Sequence, residues 1–201
     1  MESAGQLLVK IEKDFSDEIK LSDGGKLYLD SSYNRFENRM VSGVLTSVPP
    51  KFQHVFQAGD TVYFHHSLVI DDRVRRCVDW KERIFILQYT PDHTFNCLVY
   101  LIKRGDKMVT VNDFVFIKPI EEEKYQMIGS LYVPDSAASD KVWRGEIVYS
   151  NDYVNESMGV AVGDKVVITD KGRYEMNILG ESLWRMRSDR NILAICEEVQ
   201  P

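Results

Sequence analysis

Val162-Gly163-Asp164-Lys165-Val166-Val167-Ile168 decides how this chain is built, because Ala58-Gly59-Asp60-Thr61-Val62-Tyr63-Phe64 has the same form 104 residues earlier. Both read as a Gly-Asp turn that feeds an apolar, β-branched strand. Working outward, Trp143-Arg144-Gly145-Glu146-Ile147 answers Val41-Ser42-Gly43-Val44-Leu45 at an offset of 102. Phe116-Ile117-Lys118-Pro119 answers Leu8-Val9-Lys10-Ile11 at 108, and Asn191-Ile192-Leu193-Ala194-Ile195 answers Asn96-Cys97-Leu98-Val99-Tyr100 at 95. Four matched segments in one order define a tandem repeat, with drifting offsets absorbed in loops. The expected division is 1–104 and 105–201, at the polar stretch Lys103-Arg104-Gly105-Asp106-Lys107. The Arg-Gly-Asp within it reads as an inter-domain turn.

The expected strands are short and apolar: 7–11, 41–48, 61–65, 83–88 and 96–102 in the first copy, and 114–117, 145–149, 165–169, 182–187 and 191–197 in the second. Gly-Asp, Pro-Pro, Thr-Pro-Asp and Asp-Lys-Gly signals separate them. No stretch of eleven or more residues carries a capped 3.6-residue apolar period. The pattern predicts an all-β protein of two tandem small barrels, since closure removes exposed sheet edges. Each copy has a long polar insert after its first strand, residues 12–40 and 121–141, longer than compact domains usually hold without a use. Each insert carries one apolar cluster behind glycine: Gly24-Gly25-Lys26 before Leu27-Tyr28-Leu29, and Gly129-Ser130 before Leu131-Tyr132-Val133-Pro134. A polar segment around three apolar residues builds no core of its own. It reads as a hook awaiting a partner's groove, or else as an edge strand laid on the barrel.

Composition narrows the function. The net charge is −6 and the pI about 5.3, which argues against a broad nucleic-acid surface. No apolar run reaches the roughly 18 residues of a membrane span, and the start, Met1-Glu2-Ser3-Ala4-Gly5, lacks signal-peptide or transit-peptide character. Three cysteines, Cys77, Cys97 and Cys196, contain no CxxC pair and suit a reducing compartment. His65 and His66 are adjacent, so on a strand they face opposite ways and make a poor metal site with His54 and His93. No nucleophile elbow, zincin motif or P-loop occurs, so no catalysis, metal or bound cofactor is expected. Asp71-Asp72 reads as a turn, and Arg73, Arg75 and Arg76 as a small basic patch for nucleic acid or a neighbouring subunit, the acidic chain favouring the subunit.

The second copy, from Asn112 to Val199, resembles the GroES-type co-chaperonins. The resemblance rests on Asn112-Asp113-Phe114-Val115-Phe116-Ile117-Lys118, Gly129-Ser130-Leu131-Tyr132-Val133-Pro134-Asp135-Ser136-Ala137, Arg144-Gly145-Glu146-Ile147-Val148, Val162-Gly163-Asp164-Lys165-Val166 and Ser188-Asp189-Arg190-Asn191-Ile192-Leu193-Ala194-Ile195, in that order. The first copy follows the plan loosely: its hook lacks Pro-Asp, and Ser42-Gly43-Val44 stands for Arg-Gly-Glu. The resemblance implies a homo-oligomeric ring that caps a chaperonin cylinder and encloses a non-native client. It implies contact with chaperonin apical domains through Leu131, Tyr132 and Val133, and through Leu27, Tyr28 and Leu29, flanked by Gly129, Pro134, Gly24 and Gly25. ATP would be bound by the chaperonin, and no nucleic acid or membrane is a partner. The setting implied is the cytoplasm of a bacterium or phage-infected cell, or a chloroplast once a transit peptide is removed. The family's dome-roof hairpin would fall in residues 46–57 and 149–161, intervals short enough to predict a reduced roof. Another reading keeps the barrels as a viral or oligomeric assembly module without chaperonin binding. An enzyme carrying a GroES-like domain would need a Gly-x-Gly-x-x-Gly after a strand, which the sequence lacks.

Overall fold

The computed structural model describes residues 5–11, 18–20, 25–28, 41–70, 76–91, 97–120, 125–128, 131–134 and 143–196. The chain divides into two compact units, Met1–Asn112 and Asp113–Pro201.

Unit 1 contains β1 (Leu7–Lys10), β2 (Glu18–Lys20), β3 (Lys26–Tyr28), β4 (Ser42–Ser47), β5 (Thr61–Phe64), a short helix α1 (Ser67–Ile70), β6 (Cys77–Asp79), β7 (Ile84–Leu87), β8 (Val99–Arg104) and β9 (Lys107–Thr110). Seven strands form one sheet in the order β6-β7-β1-β4-β5-β8-β9. Unit 2 contains β10 (Phe114–Pro119), β11 (Tyr125–Ile128), β12 (Leu131–Pro134), β13 (Trp143–Tyr149), α2 (Asp152–Met158), β14 (Lys165–Ile168), β15 (Tyr174–Ile178), β16 (Glu181–Arg187), α3 (Ser188–Asn191) and β17 (Ile192–Ile195). Its main sheet runs β15-β16-β10-β13-β14-β17. All pairings are antiparallel. Strand for strand, the second order is the first without β9.

Register makes the repeat exact at residue level. In β1/β4, Leu8 faces Ser47 and Val9 faces Leu45 across a bulge. In β10/β13, Phe116 faces Tyr149 and Ile117 faces Ile147 across the same bulge. These equivalences reproduce the offsets 108 and 102 read from the sequence. Strand β5 pairs with β4 at Gly43↔Val62, and β14 with β13 at Gly145↔Val166, which confirms 104. The last strand needs a correction. Val62↔Ile102 corresponds to Val166↔Ile195, and Phe64↔Val99 to Ile168↔Ile192. The true offset there is 93, not 95. A two-residue slip leaves every side chain on its own face, so alternation alone does not detect it.

Equivalent positions build equivalent cores. Leu7, Val9, Leu45, Val62, Phe64 and Leu87 are buried in unit 1, and Val115, Ile117, Ile147, Val166, Ile168 and Met186 in unit 2. The repeat's glycines have one cause. A Cβ on Gly43 would lie 2.7 Å from the Lys10 carbonyl oxygen and 2.7 Å from Val9 Cγ2. On Gly145 it would lie 2.8 Å from the Lys118 oxygen and collide with Ile117 Cγ2. The bulged first strand presses on the second at that point, and only glycine fits. The Gly-Asp turns match as closely: Gly59 and Gly163 have φ of 94° and 95°. Asp60 Oδ2 accepts from Gln57 N at 2.7 Å, and Asp164 Oδ2 from Ala161 N at 2.8 Å.

Several elements were not expected from the sequence. Strands β6, β9 and β15 are short or strongly polar on one side; in β15 only Met176 and Ile178 are buried. Helix α2 spans seven residues, below the length at which an apolar period can be read. Its ends are nevertheless marked: Asn151 Oδ1 accepts from Val154 N at 3.0 Å, and Gly159 closes it in the left-handed region. His65 and His66 lie just beyond β5 rather than on it, so the opposite-faces premise fails there; their rings stand 4.4 Å apart.

Candidate functional site

The hooks come from the inserts after β1 and β10. In unit 2, β11 and β12 form a hairpin with Tyr125↔Pro134, Gln126↔Val133, Met127↔Tyr132 and Ile128↔Leu131 in register. In the sequence Gly129 and Ser130 separate the two strands. In unit 1, β2 and β3 pair at Glu18↔Tyr28, Ile19↔Leu27 and Lys20↔Lys26. The sequence reading treated both inserts as irregular; each contains this short hairpin. Both apolar clusters thus fall on the second strand of equivalent hairpins. Leu131, Tyr132, Val133 and Pro134 make up β12, Leu27 and Tyr28 close β3, and Gly25 directly precedes it. Gly24, Leu29 and Gly129 lie outside the described residues, as do His93, Asp71, Asp72, Arg73 and Arg75.

Each hairpin is a two-stranded sheet by itself. The tripeptide strands are therefore not edge strands of the main sheets, which was the other reading of the clusters. A two-stranded hairpin by itself is marginally stable in water.

The intervals assigned to a roof hairpin are fully described and, past the ends of β4 and β13, contain no strand. In unit 1 the segment holds a 3-10 turn at Pro50–Phe52, and Phe52 and Phe56 pack edge-on against Tyr89 at 5.0 and 4.8 Å. In unit 2, α2 takes that place and buries Val154. Both segments fold back on their own unit.

Polar anchors brace these frames differently. In unit 1, Arg104 Nε and Nη2 donate to the two oxygens of Asp60 at 2.8 and 2.7 Å, and Nη2 also reaches the Val55 carbonyl at 3.0 Å. The Arg-Gly-Asp stretch is thus one arginine clamping the Gly-Asp turn, followed by the two-residue turn between β8 and β9. In unit 2, Arg187 and Asp113 form a buried pair at 3.0 Å. Burial is the largest influence on the Asp113 carboxyl. With a hydrogen bond to Asp189, it holds the pKa above the ordinary carboxylate range against the opposing charge of Arg187. Asn191 ties the following turn together: its Oδ1 accepts from Arg187 N, and its Nδ2 donates to Thr169 Oγ1 and the Lys171 carbonyl. The second-copy motif Ser188-Asp189-Arg190-Asn191 is accordingly a structural corner. Among the described residues no group of histidine, cysteine or carboxylate side chains is placed to hold a metal ion. No described helix is long and apolar enough to cross a membrane.

The architecture and hooks define a class: a tandem all-β chain in which each unit carries a separate two-stranded hairpin in the insert after its first strand. Residues 107–196 match the chaperonin 10 kDa subunit family. The co-chaperonin GroES of Pelobacter propionicus is 33% identical over 97 residues, covering 45% of this chain and 99% of that protein. Those of Gemmatimonas aurantiaca and Deinococcus radiodurans are 35% identical over 96 residues and 33% over 93, covering 45% and 43% of this chain and 96% of each relative. The chain belongs to the GroES-type co-chaperonin family, through its second unit and with a divergent first unit. That family consists of folding cofactors, not enzymes.

Proposed function

We propose that this chain is a co-chaperonin that caps a chaperonin cylinder through its two hairpins. The observation that carries this is the placement of Leu131-Tyr132-Val133 and of Leu27-Tyr28 on equivalent strands that stand apart from both main sheets. Apical-domain grooves would take Leu131, Tyr132 and Val133, with Leu27, Tyr28 and Leu29 as the second set. Gly129 and Pro134, and Gly24 and Gly25, would set the ends of the moving strand. Three apolar side chains supply roughly 1.5–3 kcal/mol each on burial, reduced by the cost of ordering the segment. One hook binds weakly; several hooks on a ring convert later contacts into intramolecular ones and raise affinity without tightening any single contact. Weak hooks also let the cap leave when the chaperonin's nucleotide state changes. ATP belongs to the chaperonin, and the non-native client occupies the chamber, in the cytoplasm. With no hairpin between β4 and β5 or between β13 and β14, the dome is low or open at its apex.

In descent the repeat boundary lies at 104/105, consistent with a family match that begins at 107. Strand β9 then belongs to the second repeat and packs into the first unit.

The test is capture of the chain by a chaperonin in the presence of ATP. Leu131→Asp together with Leu27→Asp abolishes capture and leaves the circular dichroism and ring mass unchanged. Undiminished capture by that double variant overturns the reading. Proteolysis supplies a second readout: cleavage within residues 121–141 disappears when chaperonin and ATP are added.

A further inference from the structure

At one end of each sheet the two units leave the same kind of side chain open. In unit 2, Ile178↔Glu181 is the last pair of β15 and β16, so Leu179 and Gly180 form the turn, with φ of 53° and 93°. Asn177 Oδ1 accepts from Gly180 N at 2.9 Å. Turns of this kind favour asparagine, aspartate or glycine at both positions. Leucine is strained there and gains little burial in return, since Leu179 is 61% exposed. The turn between β6 and β7 in unit 1 has the same character. Asp79 Oδ1 accepts from Lys81 N and Glu82 N at 2.9 and 3.0 Å, and Arg83 has a φ of 55°. Trp80 meets Phe85 edge-on at 6.0 Å and is still 61% exposed. Away from this end of the sheets, the exposed large apolar side chains are Tyr153, Val162, Leu193 and Ile195, all in unit 2. Among the described residues, these turns are therefore the place that both units keep apolar and open.

The turns stand where the hooks depart. Past Ile117↔Trp184, Lys118 reaches Glu181 at 3.7 Å, so Leu179 lies at the end of β10 from which the insert leaves. Ile120 N donates to the Arg144 carbonyl at 3.1 Å and closes the base of that insert. In unit 1, Lys10 reaches Glu82 at 2.9 Å and Ile11 N donates to the Arg83 carbonyl at 3.1 Å, again where the insert leaves. Tyr125, which opens the hook hairpin of unit 2, is five residues past Ile120, a reach of at most about 18 Å. A groove that takes the hook lies within that distance of the sheet end that carries Leu179. We propose that Leu179 and Trp80 are a second, rigid pair of contacts to the chaperonin, seated on apolar apical-domain surface beside the groove that takes each hook. The two turns differ in length and in capping residue, Asp79 against Asn177, yet both present an apolar side chain. That shared property points to an apolar surface as the partner. The hooks supply reach, and the turns supply a footing fixed to the sheet. This inference rests on the proposed function, and its experiment separates the two.

The experiment titrates chaperonin and ATP with the full chain, with Leu179→Asn and with Leu179→Asn/Trp80→Asn, and reads capture beside a thermal melt. Asparagine suits the left-handed conformation of the turn, so Leu179→Asn melts no lower than the wild type. Its half-capture concentration nevertheless rises about tenfold. The double variant rises further and is still captured in full at saturation, because the hooks are intact. A merely structural role for Leu179 would not weaken capture in a chain that melts as high as the wild type. If Trp80→Asn disturbs its own unit, Leu179→Asn alone decides. Capture of Leu179→Asn at the wild-type concentration overturns the inference, and the hooks then stand by their own test with Leu131→Asp and Leu27→Asp. A wild type that is not captured overturns the proposed function and this inference with it.

Discussion

At the crossing of first and second main strands, unit 1 and unit 2 are built alike down to the residue, while the side chains that brace the shared frame differ. Leu8 and Val9 bulge against Ser47 and Leu45 as Phe116 and Ile117 do against Tyr149 and Ile147. Gly43 and Gly145 sit under the same carbonyl, although the residues beside them changed from Ser and Val to Arg and Glu. The bracing changed as well. Unit 2 closes with the buried Asp113–Arg187 pair, where register places Gly5 and Gln88 in unit 1. Unit 1 clamps its Gly-Asp turn with Arg104. The repeat has kept what backbone contact forbids it to change and has exchanged what a side chain of another kind can supply.

That comparison is most open to breakage at the shared crossing. Gly145→Ala and Gly43→Ala each drive a Cβ into a carbonyl oxygen, and a cost above about 4 kcal/mol is expected, with loss of the unit's folding transition in thermal melts. Gly145→Ala does more harm, since Ile117 is struck too. A mild effect at either position would mean that the crossing relaxes.

The Asp113–Arg187 pair is next. Arg187→Met strands a buried carboxylate and costs about 3–5 kcal/mol, while Asp113→Leu with Arg187→Met returns to near neutrality, because desolvation opposes the pair's attraction. Its pH dependence has a definite sign. The folded pKa of Asp113 is raised, so its contribution is fully present below the ordinary carboxylate value, about 3.9. It is lost as pH rises through the raised folded value. Chemical denaturation across that range shows a slope in the wild type that Asp113→Asn removes.

Arg104→Ala tests the clamp of unit 1. Asp60 is 3% exposed and keeps the Gln57 amide as an acceptor bond, so about 1–3 kcal/mol is expected. Asp164→Asn in the more open turn of unit 2 costs less. The smallest effect belongs to a pair both units keep, Lys10–Glu82 at 2.9 Å and Lys118–Glu181 at 3.7 Å. Both are half-exposed, and Lys10→Ala or Lys118→Ala shifts stability by less than about 1 kcal/mol. A larger loss would make that pair part of the shared frame.

Much of this was legible in the residues. Strands with alternating burial, Gly-Asp turns and the order of four matched segments revealed the repeat and three of its four offsets. Missed elements had weak local signals. Strand β15 puts Tyr174, Glu175 and Asn177 among its two buried residues, and β9 is four residues long. Helix α2 is too short for a period, though Asn151 and Gly159 announced its caps. For the hooks, the clusters were visible but not their pairing, because Tyr125–Ile128 carries no strict alternation and Glu18–Lys20 is only three residues long.

The sequence by itself determined the duplication, the all-β class and the glycines, since each follows from local backbone demands that a residue type either meets or does not. Only the tertiary structure decided the register of the last strand, the partner of Arg104, and which of the two equivalent edges is covered. Those depend on contacts between segments far apart in the chain, where a slip of two residues or an exchange of one strand leaves the local pattern unchanged.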